Sequence, residues 1–214
     1  MNVRTVLLDL DGTLIDSFDL ISESFTQACR VVLNRELTYE EVLERWGWPL
    51  RYRFEAVDPV RTDALIDAYQ AHYRANHDRM IRLYPGIRDM LDALKSNEIG
   101  MGIVTSKRRP TTHLAIEHLN LAAYFGAVVT EQDVPSPKPA PDAVFAALRD
   151  LRAPAETAIM IGDSLFDIQA AQAAGVRSGA ALWGTRERDA LLSARPDLAL
   201  DTPVDVMLSL LHTL

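Results

Sequence analysis

Apolar residues crowd the stretch from Thr5 to Leu10, which is too short for a membrane helix and closes on Asp11-Gly12. A short apolar run ended by a turn signal predicts a buried parallel strand. From about Asp16 to Tyr84 the period becomes helical and no strand is expected. Phe18, Ile21, Phe25, Cys29 and Val32 keep helical spacing, as do Val42, Arg45 and Trp46 after a capping-box pattern from Thr38 to Glu41. Between those helices lies Trp46-Gly47-Trp48-Pro49-Leu50-Arg51-Tyr52-Arg53, where Gly and Pro break the helical pattern. From Tyr84-Pro85-Gly86 onward helix and strand alternate. Helices are predicted over Ile87–Leu94, Thr112–Leu119, Asp142–Leu151 and Phe166–Ala174, and strands over Met101–Val104, Ala127–Thr130, Ala158–Ile161 and Gly179–Trp183. A weaker strand-helix pair closes the chain.

This alternation predicts an α/β fold: a Rossmann-like, mostly parallel sheet of five or six strands with helices on both faces. The helical stretch is an insert after the first strand, giving an α/β core over 1–14 and 83–214 and a small all-helical cap over 15–82. In open sheets of this kind ligands bind beyond the carboxyl ends of the strands, where the strand order reverses.

Four polar clusters fall at those predicted strand ends. Asp9 and Asp11, two apart, are expected to face one small volume at the end of the first strand. Two like charges so close are costly unless a cation lies between them, which points to a magnesium site with a carboxylate nucleophile and a second carboxyl as proton carrier. Taken alone, Asp-Gly is also a common turn. Thr105 and Ser106, after Ile103-Val104, are either phosphate ligands at a helix start or an ordinary N-cap. Lys138 stands between two prolines in Ser136-Pro137-Lys138-Pro139-Ala140-Pro141-Asp142. In Gly162-Asp163-Ser164-Leu165-Phe166-Asp167, Asp163 suits a divalent metal and Asp167, one turn on, suits orienting its waters or the lysine; both also suit a helix start. The four together supply complementary charges to one sheet edge.

Composition narrows the partners. The chain has 214 residues, 48% hydrophobic and 24% charged, with a net charge of -8 and no basic block, which argues against nucleic acid and anionic membranes. Only three of the 22 basic residues are lysines, at 95, 107 and 138, so a lysine held between prolines suggests a need for a compact point charge. One cysteine, Cys29, excludes an internal disulfide or thiolate cluster. With no signal pattern and no apolar run near 18 residues, a cytoplasmic location is expected. The histidines at 72, 77, 113, 118 and 212 show no tight ligand spacing.

On these motifs the chain resembles the haloacid dehalogenase superfamily of phosphatases over essentially its whole length. Asp9-Leu10-Asp11-Gly12-Thr13 looks like the family's first motif, Thr105 its second, Lys138 its third, and Gly162-Asp163 with Asp167 its fourth. The insert is similar to the family's small helical cap. Asp-Gly-Thr-Leu-Ile-Asp-Ser, Val-Thr-Ser-Lys, Lys-Pro-Ala-Pro-Asp and Gly-Asp-Ser resemble the phosphoglycolate phosphatase and pyrophosphatase branch most. The resemblance implies that Asp9 attacks phosphorus, Asp11 carries the proton, and Thr105, Ser106 and Lys138 hold the phosphoryl oxygens. It implies magnesium held by Asp9, Asp163 and the backbone carbonyl of Asp11, with Asp167 behind them.

Departures from related chemistries shape the expectation further. Asp11 disfavours the dehalogenases, whose halide leaves without a proton, and the absence of lysine from Leu14 to Tyr84 disfavours phosphonate cleavage through a Schiff base. No histidine occurs in Ser17 to Thr26, where the sugar phosphomutases carry one. A sugar-phosphate phosphatase or mutase of the family remains an alternative, as does a phosphoacceptor signalling module, against which the Asp11 partner and an insert of about 70 residues both count. The expected protein is a monomer or homodimer acting on a small phosphorylated anion such as phosphoglycolate or pyrophosphate. Arg51 in the cap would contact the substrate's far anionic end, with Arg45 and Arg53 as helpers, unless the Trp46–Arg53 segment only staples two helices.

Overall fold

The computed structural model describes residues 3–44 and 46–211, so Arg45 and His212 lie outside the described residues. The chain divides into two compact units, Met1–Asp16 with Leu83–Leu214, and Ser17–Arg82. In chain order the elements are β1 (Thr5–Leu8), β2 (Ile15–Asp16), α1 (Phe18–Leu33), α2 (Tyr39–Leu43), α3 (Leu50–Val57), α4 (Thr62–Met80), β3 (Arg82–Leu83), α5 (Ile87–Ser96), β4 (Gly100–Val104) and α6 (Arg109–His118). They continue with β5 (Ala127–Val129), α7 (Asp142–Leu151), β6 (Ala158–Gly162), α8 (Leu165–Ala173), β7 (Arg177–Ala181), α9 (Arg188–Ser193), β8 (Leu198–Leu200) and α10 (Pro203–Leu211).

The first unit is the expected α/β layer structure. Its six strands run in the order β5-β4-β1-β6-β7-β8, and every pair among them is parallel. Leu7 is buried with Val104, Val129 and Met160 against Val144 and Ala147 of α7 and Ala170 and Ala171 of α8. Val6, Leu8, Ile103 and Ile161, which alternate with these along their strands, are equally buried. The sheet is therefore covered on both faces, which is why its strands read as continuous apolar runs. Leu8 is in register with Ile103 on one side and Ile161 on the other. The chain reverses direction across the sheet at β1, so the residues after Leu8, Val104 and Ile161 converge on one switch point.

The helical unit is built on α1 and α4. Its interior carries a ladder of rings: Phe25 stacks on Phe54 at 4.5 Å, Phe54 meets Tyr69 at 6.1 Å, and Tyr69 stacks on Tyr73 at 5.7 Å between centroids. The capping box at α2 is present, with Glu41 N donating to Thr38 Oγ1 at 3.3 Å and Thr38 N donating to Glu41 Oε2 at 2.9 Å.

Three expectations need correction. β1 stops at Leu8 rather than Leu10, although Asp9 N still donates to Ile161 O at 3.0 Å. The stretch expected to lack strands holds β2 and β3, which pair with each other in a two-stranded sheet too short to show a period. The break at Gly47 and Pro49 is also shorter than the expected loop: Pro49 is the N-cap of α3, so Arg51 and Arg53 lie on a helix.

Candidate active site

Asp9 follows β1 directly and is buried. Its Oδ1 accepts from Lys138 Nζ at 3.0 Å, and the same ammonium donates to Asp167 Oδ1 at 2.5 Å and to the Val104 carbonyl at 3.1 Å. Lys138 thus spends its three donors on two carboxylates and the end of β4, the arrangement that makes a buried ammonium tolerable. Asp167 is the N3 residue of α8, and its Oδ2 accepts from the backbone N–H of Ser164 at 3.0 Å and from the Ser164 hydroxyl at 2.6 Å. Asp163 Oδ1 accepts from the Thr13 hydroxyl at 3.2 Å.

The turn that brings Asp163 against the first motif needs glycine. Gly12 has φ +81, and a Cβ there would lie 2.2 Å from Asp163 Oδ2. The loop after β7 closes on the same turn: Trp183 Nε1 donates to the Thr13 carbonyl at 2.9 Å, and a Cβ on Gly184 would sit 1.7 Å from the Gly12 carbonyl oxygen.

The structure brings Asp9, Asp163 and Asp167 together, with one carboxylate oxygen of each within 4.8 Å of the others. The Asp11 side chain is outside that group. Both of its oxygens accept from Lys107 Nζ, at 2.8 Å each, so the two aspartates of the first motif, expected to share one small volume, engage different lysines. Thr105 and Ser106 close the site at the end of β4. Thr105 Oγ1 accepts from Lys107 N at 3.2 Å, and the buried Ser106 hydroxyl has no hydrogen-bond partner among the described residues.

Three buried acids face one buried ammonium, and the titration of the group reflects it. Burial, with the charges of Asp167 and Asp11, pushes the Asp9 carboxyl up to about 7 against the opposing pull of Lys138. Burial and then Asp9 and Asp167 push Asp163 up well above the carboxylate range. Burial would lower Lys138, but Asp167 and Asp9 outweigh it and hold its ammonium above the ordinary value. Asp9 Oδ2 and Asp163 Oδ2 accept from no described residue. Hard anionic oxygens in excess of local positive charge are the donor set a small divalent cation prefers, so these residues fit such a cation.

In the helical unit Arg51 and Arg53, the two candidate arginines among the described residues, part company. Arg51 is exposed and donates to Asp63 Oδ1 at 2.7 Å, with Glu55 at 3.7 Å. Arg53 is only 5% exposed. Its guanidinium lies 4.3 Å over the Phe25 ring and 5.4 Å over that of Trp46, and donates to the Val42 carbonyl at 3.0 Å. Expected as a substrate helper, Arg53 instead packs inside its own unit.

Sequence reasoning overlooked Lys107, Thr13 and Trp183 as site residues. Lys107 ends Val-Thr-Ser-Lys, and a lysine beside a Thr-Ser strand end in so lysine-poor a chain is the signal that marks it. Trp183, 170 residues from Thr13, carried none.

Comparison with known proteins agrees with this geometry. The family of haloacid dehalogenase-like hydrolases matches residues 6–181. Pyrophosphatase PpaX of Anoxybacillus flavithermus is 38% identical over 207 residues, covering 97% of this chain and 96% of that one. PpaX of Oceanobacillus iheyensis is 34% identical over the same shares. Among solved structures, a haloacid dehalogenase-like hydrolase of Streptococcus pneumoniae superposes with a TM-score of 0.86 at 27% identity, over 97% of this chain and 98% of that one. A Lactobacillus plantarum protein assigned as a phosphoglycolate phosphatase gives 0.87 at 25% identity, over 97% and 99%. With its four motif clusters gathered at the switch point of such a sheet, this chain belongs to the haloacid dehalogenase-like hydrolase family.

Proposed function

We propose that this phosphatase is a magnesium-dependent phosphohydrolase of small phosphorylated anions, with pyrophosphate first among them, working through an aspartyl phosphate on Asp9. The observation that carries the reading is the buried Asp9 carboxylate, held by Lys138 through one oxygen with its second oxygen accepting from none of the described residues. That oxygen attacks phosphorus; the new O–P bond forms as the bond to the leaving oxygen breaks, and Asp11 gives that oxygen a proton. Asp11 then takes a proton from the water that hydrolyses the aspartyl phosphate, restoring Asp9. The Ser106 hydroxyl, Thr105 and the Lys138 ammonium hold the phosphoryl oxygens. Asp9, Asp163 and the Asp11 backbone carbonyl, with Asp167 behind them, would hold magnesium, which when bound would neutralise charge on the transferring group.

The pyrophosphatase relatives, alike over nearly the full length, favour pyrophosphate, and the Lactobacillus plantarum neighbour makes phosphoglycolate the next substrate to test. Phosphate release is to be measured with magnesium and with EDTA from pyrophosphate, phosphoglycolate, sugar phosphates and an aryl phosphate. Release from pyrophosphate above the others, abolished by EDTA, is expected; release from none of them would overturn the reading. Arg51 is proposed for the substrate's far anionic end, because its exposed ion pairs with Asp63 and Glu55 are of a kind worth only about 0–1 kcal/mol and easily exchanged. Arg51→Ala should raise KM about tenfold while kcat changes far less. An unchanged KM would remove Arg51 from the site.

A further inference from the structure

Two of the chain's three lysines are committed to the aspartates of the site, Lys138 to Asp9 and Asp167 and Lys107 to Asp11. The third, Lys95, donates to the Ala123 carbonyl at the surface. The Lys107 side chain is 6% exposed and that of Asp11 18%, so this pair is largely withdrawn from water. The grip is two-handed, with Nζ at 2.8 Å from each carboxylate oxygen, which fixes the plane of the carboxylate as well as its position. Lys107 is itself fixed by the turn after β4, where its backbone N–H donates to Thr105 Oγ1. The Asp11 carboxylate is thereby kept out of the oxygen cluster of Asp9, Asp163 and Asp167.

We propose that Lys107 is the positioning residue of Asp11, holding the acid-base carboxyl group apart from the cation-binding cluster so that its proton goes to the leaving oxygen. This rests on the reading of Asp11 as proton carrier. With Asp11 protonated, one oxygen carries the proton and the other still accepts from Lys107. Once the P–O bond has broken and the proton has moved to the leaving oxygen, both carboxylate oxygens accept from Lys107, the arrangement seen here. The proton from the attacking water then returns Asp11 to its first state. Lys107 needs neither to gain nor to lose a proton.

The test uses the intact chain with two leaving groups. The alkoxide leaving oxygen of phosphoglycolate or a sugar phosphate, whichever turns over faster, needs a proton, whereas p-nitrophenolate leaves without one. kcat/KM is to be measured on both for wild type, Lys107→Met, Lys107→Arg, Asp11→Asn and the Lys107→Met/Asp11→Asn double variant. Lys107→Met is expected to lose about 10- to 100-fold on the demanding substrate and less than about threefold on the aryl phosphate. Lys107→Arg should recover part of the loss, and Lys107→Met should cost almost nothing more once Asp11 is Asn. Should Lys107→Met not fold, Lys107→Gln replaces it. An equal loss on both substrates, or a full additional loss in the Asp11→Asn background, would overturn the inference. If Asp11→Asn itself spares the demanding substrate, the acid-base reading falls and takes the inference with it. Failure of Lys107 alone leaves Asp11→Asn selective.

Discussion

Each unit of the molecule buries a cation, and the two are treated in opposite ways. In the α/β unit Lys138 is surrounded by carboxylates, whose charges hold its ammonium above the ordinary value against the effect of burial. In the helical unit Arg53 has one carbonyl and two ring faces, and burial, partly offset by Tyr69 and Cys29, pulls it down to about 10. A guanidinium tolerates such surroundings because it is weakly hydrated and stacks on rings, whereas an ammonium needs anions close by. The contrast separates a cation set among acids from one set among rings. Lys138 is surrounded by acids that outnumber it, the condition under which an incoming cation or phosphoryl group changes the charge balance. Arg53 faces no acid among the described residues, so nothing that binds elsewhere would be expected to alter its state.

The sharpest way to break this comparison is to remove the two charges in turn. Lys138→Met leaves Asp9 and Asp167 as buried carboxylates without their cation, a loss of about 3–5 kcal/mol when one partner of a buried pair is deleted, together with loss of turnover. Denaturant midpoints taken in EDTA would read the stability, and a variant as stable as wild type would show that the pair is not held as described. Arg53→Met strands no acid. It removes one hydrogen bond to the Val42 carbonyl and replaces the guanidinium over the Phe25 and Trp46 rings with a thioether that also suits ring faces. A cost of about 1–2 kcal/mol is expected, with KM unchanged. A raised KM with unaltered stability would return Arg53 to the substrate side.

The sequence carried the sheet and the placing of most candidate residues at its strand ends because their physics is local. Parallel strands buried on both faces must be apolar throughout, and glycine and proline mark the ends where Asp9, Thr105, Lys138 and Asp163 stand. What it could not carry was the partition of those residues into pairs. Whether Asp11 meets Lys107 or joins Asp9 depends on two turns 96 residues apart, one of them set by the left-handed φ of Gly12. Arg51 and Arg53 show the same limit. Read as neighbours in a loop they looked equivalent, but on a helix two residues are 200° apart at about 100° per residue. One side chain therefore faces solvent and Asp63 while the other enters the aromatic interior. Pro49 as N-cap was the one clue that a helix, not a loop, begins there.

The smallest effect sharpens the account of the helical interior. Cys29 is fully buried on α1, and burial pushes its thiol up to about 11, with Arg35 and Arg53 pulling the other way. A raised thiol value means that the protonated form dominates at neutral pH; at pH 8 the thiolate fraction is about one in a thousand, against roughly one in four for a free thiol of ordinary pKa. Alkylation of the native protein at pH 8 should therefore be slower than that of the unfolded chain by well over a hundredfold, since burial also blocks the reagent. Arg53→Met removes one of the two cations that favour the thiolate, so labelling of the folded variant should be slower still, by a few-fold at most. Faster labelling in Arg53→Met would mean that the substitution opens the interior, and would place Arg53 among the residues that hold this unit closed rather than those that merely fill it.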